Sequence, residues 1–149
     1  MVLRGLRIAN LVLAGVLTGN ELCTFTVVHP LLQRLGYAEE VAGEQFVTRR
    51  LGAVMPPLMT ATVATGAVAV AGLEGRERAL VGAGTAAYAA MLAITAVGNM
   101  PVNVQTLSWD TATQPEAEWR RLRRRWDRSH ALRVALDAAG LAALAAASR

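Results

Sequence analysis

The sequence lacks several features that define common protein classes. Its 149 residues contain no lysine and one cysteine, Cys23, and aromatic residues make up only 5% of the chain. A single cysteine excludes a disulfide framework and a cysteine-based zinc site. The scarcity of aromatic residues argues against a nucleic-acid-binding module that stacks bases, despite the net charge of +4. We therefore predict no nucleic-acid partner.

Charged residues are also scarce, and they are unevenly placed. They form 17% of the chain, and 54% of the chain is hydrophobic, whereas soluble domains carry about a quarter charged residues. Much of the charge lies between Glu116 and Arg133. The remaining apolar runs are too long for the core of a soluble protein of this size. The composition predicts an integral membrane protein.

The apolar runs divide into four segments that are long enough to cross a bilayer, which takes about 20 residues. We predict spans at about 6–35, 44–73, 78–100 and 129–148, with Pro101 ending the third and an interfacial helix at about 115–130. The first span is predicted to be retained rather than cleaved as a signal peptide. Short connections favour an all-α, up-down-up-down bundle, with residues 1–149 forming one membrane domain.

The distribution of arginine predicts an orientation. The side that holds both chain ends carries fewer arginines, namely Arg4, Arg7, Arg76, Arg78 and Arg149. The opposite side carries Arg34, Arg49, Arg50 and the cluster from Arg120 to Arg133. The positive-inside rule places this Arg-rich side in the cytoplasm, and we expect a bacterial-type plasma membrane.

The helix that leads into the fourth span has two different faces. At 100° per residue, its inward stripe holds Trp119, Leu122, Trp126, His130, Arg133 and Asp137. Arg133 and Asp137 are spaced i, i+4 and are expected to pair. The other face, which holds Arg121, Arg124, Arg125 and Arg128, is expected to bind anionic lipid headgroups.

Polar residues of all four helices are predicted to meet at the Arg-rich end. The first and third helices end there, and the second and fourth begin there. One layer is expected to hold His29, Gln45, Arg49, Asn99, Asn103, Trp109, Trp126 and His130, with Glu21, Arg133 and Asp137 one or two turns deeper. Tyr88 belongs to a polar stripe on the third helix. Convergence at one depth indicates a pocket between the helices.

Several segments together resemble the anthrone oxygenase-like family of small four-helix membrane proteins. They are the first-helix runs Thr18-Gly19-Asn20-Glu21-Leu22 and Val28-His29-Pro30-Leu31, the third-helix end Gly98-Asn99-Met100-Pro101-Val102-Asn103, and then Trp119, Trp126, His130 and Arg133. The resemblance implies an oxygenase that converts an anthrone to an anthraquinone with dioxygen and no evident organic cofactor. The positions at which the resemblance implies functional residues are Asn99, Pro101, Asn103, Trp126, His130 and Arg133.

This reaction needs a base for an acidic C–H group and a donor for the resulting oxyanion. His130 or His29 is the candidate base, and Arg133 or Arg49 acts with Asn103 on the oxyanion. Glu21 is a further catalytic candidate. The candidate substrate-binding residues are Asn99, Trp126, Trp109, Arg49, Gln45 and Tyr88, and the expected substrate is small and apolar.

Three alternatives stay open. His29, His130 and Glu21 are a ligand set typical of iron or copper, although Glu21 and His29 are about 12 Å apart along a regular helix. A small proton-coupled exporter would use Glu21 to bind protons and lipophilic cations in turn. A non-catalytic membrane subunit is the third alternative. The oligomeric state is open between a monomer and a homo-oligomer.

Overall fold

The computed structural model describes residues 2–148, so Arg149 of the arginine tally lies outside it. All regular structure in this range is helical. Four helices run along the chain: α1 (Val2–Leu32), α2 (Tyr37–Ala71), α3 (Gly75–Leu107) and α4 (Glu116–Ala147). Each is long and apolar enough to cross a membrane. This confirms the predicted all-α fold of four spanning helices in up-and-down order.

The interfacial helix leads without a break into the fourth span, as predicted, and the two form one helix, α4, which begins after Pro115. The third helix was expected to end at Pro101, but α3 continues to Leu107. Proline is tolerated there because it occupies the first turn of the α-helical segment Met100–Leu107, where a missing N–H costs little.

A π-helical turn precedes this proline, and α1 contains the same arrangement. The two wide turns are Thr24–Val28, just before Pro30, and Thr95–Asn99, just before Pro101. Eight residues of regular α-helix, such as Glu21 to His29, rotate about 80° beyond two full turns. A π-helical turn takes up one extra residue, which removes about 100° of rotation. Glu21 and His29 are therefore both buried on the inner side of α1.

Helices α3 and α4 pack closely where two glycines face each other. A Cβ atom on Gly84 would lie 3.0 Å from the Gly140 carbonyl oxygen, and one on Gly140 would lie 2.9 Å from the Tyr88 ring. Small residues permit such close backbone approach in a bilayer. The crossing fixes α4 against α3 one turn from Asp137.

Buried polar groups separate two apolar clusters. One cluster includes Leu17, Met59, Met91 and Leu144, and the other includes Val41, Val102, Trp119 and Trp126. On α4 the two clusters are separated by three buried polar residues, His130, Arg133 and Asp137. The candidate site lies at this level of the bundle.

The crossing gives a stability prediction. Gly84→Ala should lower the free energy of unfolding by about 1–3 kcal/mol, because the added methyl group meets the Gly140 backbone. Gly82→Ala is the matched control, since nothing lies within 4 Å of its Cβ position. Reversible unfolding in mixed micelles measures both variants. Equal stabilities of the two would contradict the tight crossing.

Candidate functional site

All four helices line one cavity of about 280 Å³. Helices α2 and α3 supply mostly apolar walls, including Leu51, Met55, Leu92 and Leu107. The polar wall comes from α1 and α4: Asn20, Glu21, Thr24, His29, Trp126, His130 and Arg133. Asn103 of α3 also lines it. Apolar walls with a few convergent polar groups are typical of small-molecule sites.

The inner charged cluster consists of Glu21, His130 and Arg133. Arg133 donates a hydrogen bond to Glu21 Oε1. Glu21 Oε2 lies 3.1 Å from His130 Nδ1, although the two atoms lack hydrogen-bond alignment. All three residues are at least 95% buried. An ion pair between α1 and α4 therefore stands beside an imidazole at the cavity wall.

The predicted ion pair between Arg133 and Asp137 is absent from the structure. The guanidinium group of Arg133 pairs instead with the carboxylate of Glu21 on the neighbouring helix. Asp137 is fully buried. Neither of its carboxylate oxygens has a hydrogen-bond partner among residues 2–148.

The outer charged cluster consists of His29, Glu44 and Arg123. His29 Nδ1 lies 2.6 Å from Glu44 Oε1, and Arg123 Nη2 lies 3.1 Å from both of these atoms, which makes an ion pair with Glu44. The Arg123 guanidinium also stacks over Trp126, 4.6 Å from the ring centroid. The site thus contains two sets of one carboxylate, one imidazole and one guanidinium.

Trp126 separates the two clusters. Its ring lies 4.3 Å from the His29 ring and 4.5 Å from the His130 ring, measured between centroids. Trp126 Nε1 donates to Asn103 Oδ1 at 2.8 Å, and Asn99 donates to the Trp126 carbonyl at 3.2 Å. Because an indole N–H only donates, it fixes the amide of Asn103 with Oδ1 toward Trp126.

Five candidate substrate-binding residues lie outside the cavity wall: Asn99, Trp109, Arg49, Gln45 and Tyr88. Gln45 donates to the carbonyls of Thr106 and Trp109, which joins α2 to the end of α3. Trp109 Nε1 donates to the Tyr37 hydroxyl, and Asn99 holds α4 through the Trp126 carbonyl.

The last two of the five have different surroundings. The Tyr88 hydroxyl is hydrogen-bonded to Thr18 at 2.7 Å, deep between α1 and α3. Arg49 is exposed and approaches Gln45 rather than Glu21. Most of these hydrogen bonds join one helix to another. A role of the five residues in substrate binding stays a prediction.

The proposed metal ligands are near one another but do not converge on one point. The rings of His29 and His130 are 5.8 Å apart between centroids. Across the described residues, no three His, Cys, Asp or Glu side chains form a group that could hold a metal ion. In this conformation His29 is engaged by Glu44 and His130 by Glu21. An iron or copper ion stays a prediction.

The sequence interpretation missed Glu44 and Arg123, although both carried a periodic signal. Arg123 lies four residues after Trp119 and three before Trp126, which places it on the inward stripe. Glu44 lies four residues after Glu40, and both are buried. The sequence analysis included Arg123 only in the basic cluster from Arg120 to Arg133 and gave it no place on either face.

Fold and site define a class: a four-span helical membrane protein whose helices enclose an apolar cavity with buried acid, imidazole and guanidinium groups. A family model described as anthrone oxygenase matches residues 44–143, which is more than half of the chain. The chain belongs to the anthrone oxygenase family, whose description indicates an oxygenase-like role.

The match covers α2 from Glu44 onward, all of α3, and α4 as far as residue 143, whereas Glu21 and His29 precede it. No curated protein and no solved structure gives a significant match.

The buried Glu21–Arg133 pair gives a second prediction. Arg133→Met should lower the free energy of unfolding by about 3–5 kcal/mol, because it leaves a buried carboxylate without a counter-charge. Arg120→Met is the matched control. Arg120 pairs with Glu116 on the exposed face of α4, and its loss should cost at most about 1 kcal/mol. Denaturant unfolding in micelles measures both.

A double variant with Glu21→Gln and Arg133→Met should regain much of the lost stability, since it removes both charges. A double variant that is less stable than the Arg133→Met single variant would rule out the ion pair as the origin of the loss.

Proposed function

We propose that the protein is a membrane-embedded oxygenase that oxidises a small, apolar, phenolic substrate of the anthrone type with dioxygen. The observation that carries this proposal is the position of His130 beside the Glu21–Arg133 pair in the wall of a mostly apolar cavity. Substrate and dioxygen both partition into the apolar part of a bilayer, so this placement favours their encounter.

His130 is the proposed base. Its Nε2 has no hydrogen-bond partner among the described residues. Glu21, on its Nδ1 side at 3.1 Å, stabilises the imidazolium that forms on proton uptake. An anthrone methylene group is acidic because its loss of a proton gives an aromatic phenolate. His130 therefore needs only to accept this proton at close range.

Asn103 and Arg133 are the proposed donors to the phenolate oxygen. Trp126 occupies Asn103 Oδ1, so the amide Nδ2 is left as the donor at the cavity wall. Arg133 adds a positive charge held in place by Glu21. Preorganised donors in a water-poor site stabilise developing negative charge strongly.

The oxidation then balances without a further reductant. The carbanion transfers electrons to dioxygen and forms a carbon–oxygen bond, giving a peroxide that takes the proton from imidazolium. Loss of the second hydrogen from the same carbon breaks the oxygen–oxygen bond. One methylene group and one dioxygen molecule become one ketone and one water molecule.

The same geometry weighs against the exporter alternative. Binding a lipophilic cation at Glu21 requires a free carboxylate, but Arg133 already neutralises it. Glu44, the carboxylate of the outer cluster, is likewise paired with Arg123, so neither acid of the two clusters is free to bind a cation. The activity test described below would identify an exporter or a non-catalytic subunit by the absence of anthrone-dependent dioxygen uptake.

The activity test removes the proposed base. In His130→Asn, dioxygen consumption driven by an anthrone should fall about 10²–10⁴-fold, because general base catalysis is lost. An oxygen electrode measures uptake by protein in nanodiscs, with protein-free nanodiscs to subtract autoxidation. Arg120→Asn, on the exposed face of the same helix, is the control and should keep native activity.

Metal analysis of the purified native protein and of His130→Asn accompanies this assay. Near-stoichiometric iron or copper in the native protein, lost in the variant, would replace the proposed base mechanism by a metal-dependent one. No anthrone-dependent uptake by a folded native protein would reject the oxygenase and favour a non-enzymatic role.

We further propose that the exposed arginines of α4 bind anionic lipid headgroups. Arg121, Arg124, Arg125 and Arg128, with Ser129, line a surface cleft on the outer side of α4. Arg124, Arg125 and Arg128 form no ion pair within the part of the chain that is described. Anionic lipids are plentiful in cytoplasmic leaflets, so the proposal also places this side in the cytoplasm of a bacterial-type cell.

Adding phosphatidylglycerol to neutral nanodiscs should raise the unfolding temperature of the native protein. Replacing Arg124, Arg125 and Arg128 by Gln should remove most of this gain, since each arginine contributes about 1 kcal/mol near an anionic surface. Replacing Arg4, Arg76 and Arg78 by Gln removes equal charge at the other end. Equal losses in both triple variants would contradict a specific headgroup surface, and an equal gain from inorganic phosphate would indicate a free-anion site.

A further inference from the structure

The exposed part of the cavity wall is confined to two helices. On α1 and α4, the wall residues Glu21, Thr24, His29, Trp126, His130 and Arg133 are buried, and Asn20 is half-buried. On α2 and α3, several wall residues are exposed on the outside of the bundle, namely Gly52, Pro56, Ala96, Met100, Val104 and Leu107. The cavity therefore opens between α2 and α3.

This opening is closed at both ends. Toward the Arg-rich side, Gln45 of α2 donates to the carbonyls of Thr106 and Trp109 and ties the two helices together. Toward the other side, the Thr85 side chain of α3 fills the space left by the missing Cβ of Gly66 on α2. The opening is thus a slot in the side of the bundle rather than a channel to water.

The α2 edge of the slot has little side-chain bulk and an unusual backbone. Gly52 has nothing within 4 Å of where a Cβ atom would lie. Pro56 and Pro57 lack the N–H groups that would bond to the carbonyls of Gly52 and Ala53. These two carbonyls lack their usual i+4 donors, and a carbonyl oxygen can accept a hydrogen bond from a phenolic hydroxyl.

The α3 edge is apolar and adjustable. Met100, Val104 and Leu107 are 53%, 66% and 40% exposed, and methionine side chains change shape readily. Arg49 and Arg50 are exposed immediately before the α2 edge of the slot. Arginine at the end of an apolar segment marks the headgroup level, so the slot begins just inside the acyl-chain region.

We propose that the slot between α2 and α3 is the route by which an apolar phenol enters the cavity, sideways from the bilayer. Amphipathic aromatic molecules concentrate at the depth where the slot begins, with their polar groups toward the headgroups. The Gly52 carbonyl receives the phenolic hydroxyl, and Met100 moves aside for the rings. This inference rests on the proposed function for its substrate, but its test does not depend on turnover.

The test narrows the slot without touching the polar wall. Gly52→Leu places a side chain in the open space at the α2 edge. The matched control is Gly19→Leu on α1, which is exposed, has an equally open Cβ position and lies outside the cavity wall. Anthraquinone is the probe, and quenching of intrinsic tryptophan fluorescence in nanodiscs reports its binding by stopped flow.

The association rate of anthraquinone should fall about tenfold or more in Gly52→Leu, because entry is gated by the slot, and should stay near the native rate in Gly19→Leu. Gly52→Ala should slow association by less than Gly52→Leu does, with an unfolding temperature close to native. This graded pair separates blockage from misfolding, since alanine keeps the helix and adds one methyl group.

Native association rates in Gly52→Leu, or equal slowing in Gly19→Leu, would overturn the slot as the route. So would the absence of anthraquinone binding to the native protein. Slowed binding in Gly52→Leu together with no dioxygen uptake by the native protein would leave the route standing and reject the oxygenase. Native dioxygen uptake in Gly52→Leu would reject the route and leave the oxygenase standing.

Discussion

The ion pair between Glu21 and Arg133 is the constraint on which the rest of the site depends. A lone charge inside a bilayer is costly, so each of these side chains requires the other. Pairing them holds α1 against α4 at a fixed height and leaves His130 beside the carboxylate. A second buried carboxylate has the same role in the outer cluster, where Glu44 of α2 pairs with His29 and Arg123. Charge neutralisation therefore sets both the helix arrangement and the chemistry of the cavity wall.

Two wide helical turns make this arrangement possible. Without the π-helical turn at Thr24–Val28, Glu21 and His29 of α1 would face different directions. The corresponding turn at Thr95–Asn99 precedes Pro101 and lets α3 continue to the hydrogen bonds that Gln45 makes at its end. Each turn begins with threonine and is followed by a proline two residues after its end. Such insertions are common at functional sites because they redirect side chains without breaking the helix.

The sequence predicted the bundle well because length, hydropathy and loop spacing determine a four-span fold almost directly. It also placed Glu21, His29, Asn103, Trp126, His130 and Arg133 together, and all six line the cavity. It failed where partner choice depends on three-dimensional proximity. Arg133 has an acid one turn away in Asp137, yet it bonds to Glu21 on another helix. Periodicity gives the face of a side chain, but it does not say which neighbour faces it.

The two adjacent prolines of α2, Pro56 and Pro57, affect both the helix backbone and the edge of the cavity. Proline inside a helix removes backbone donors and is destabilising in water. Here it removes the i+4 donors of the Gly52 and Ala53 carbonyls, and Gly52 lies at the exposed edge of the cavity. In an apolar environment such carbonyls favour any ligand that brings a hydroxyl group. A backbone feature that would weaken a soluble helix thus places, in this membrane protein, a carbonyl without its usual helical donor at the edge of the cavity.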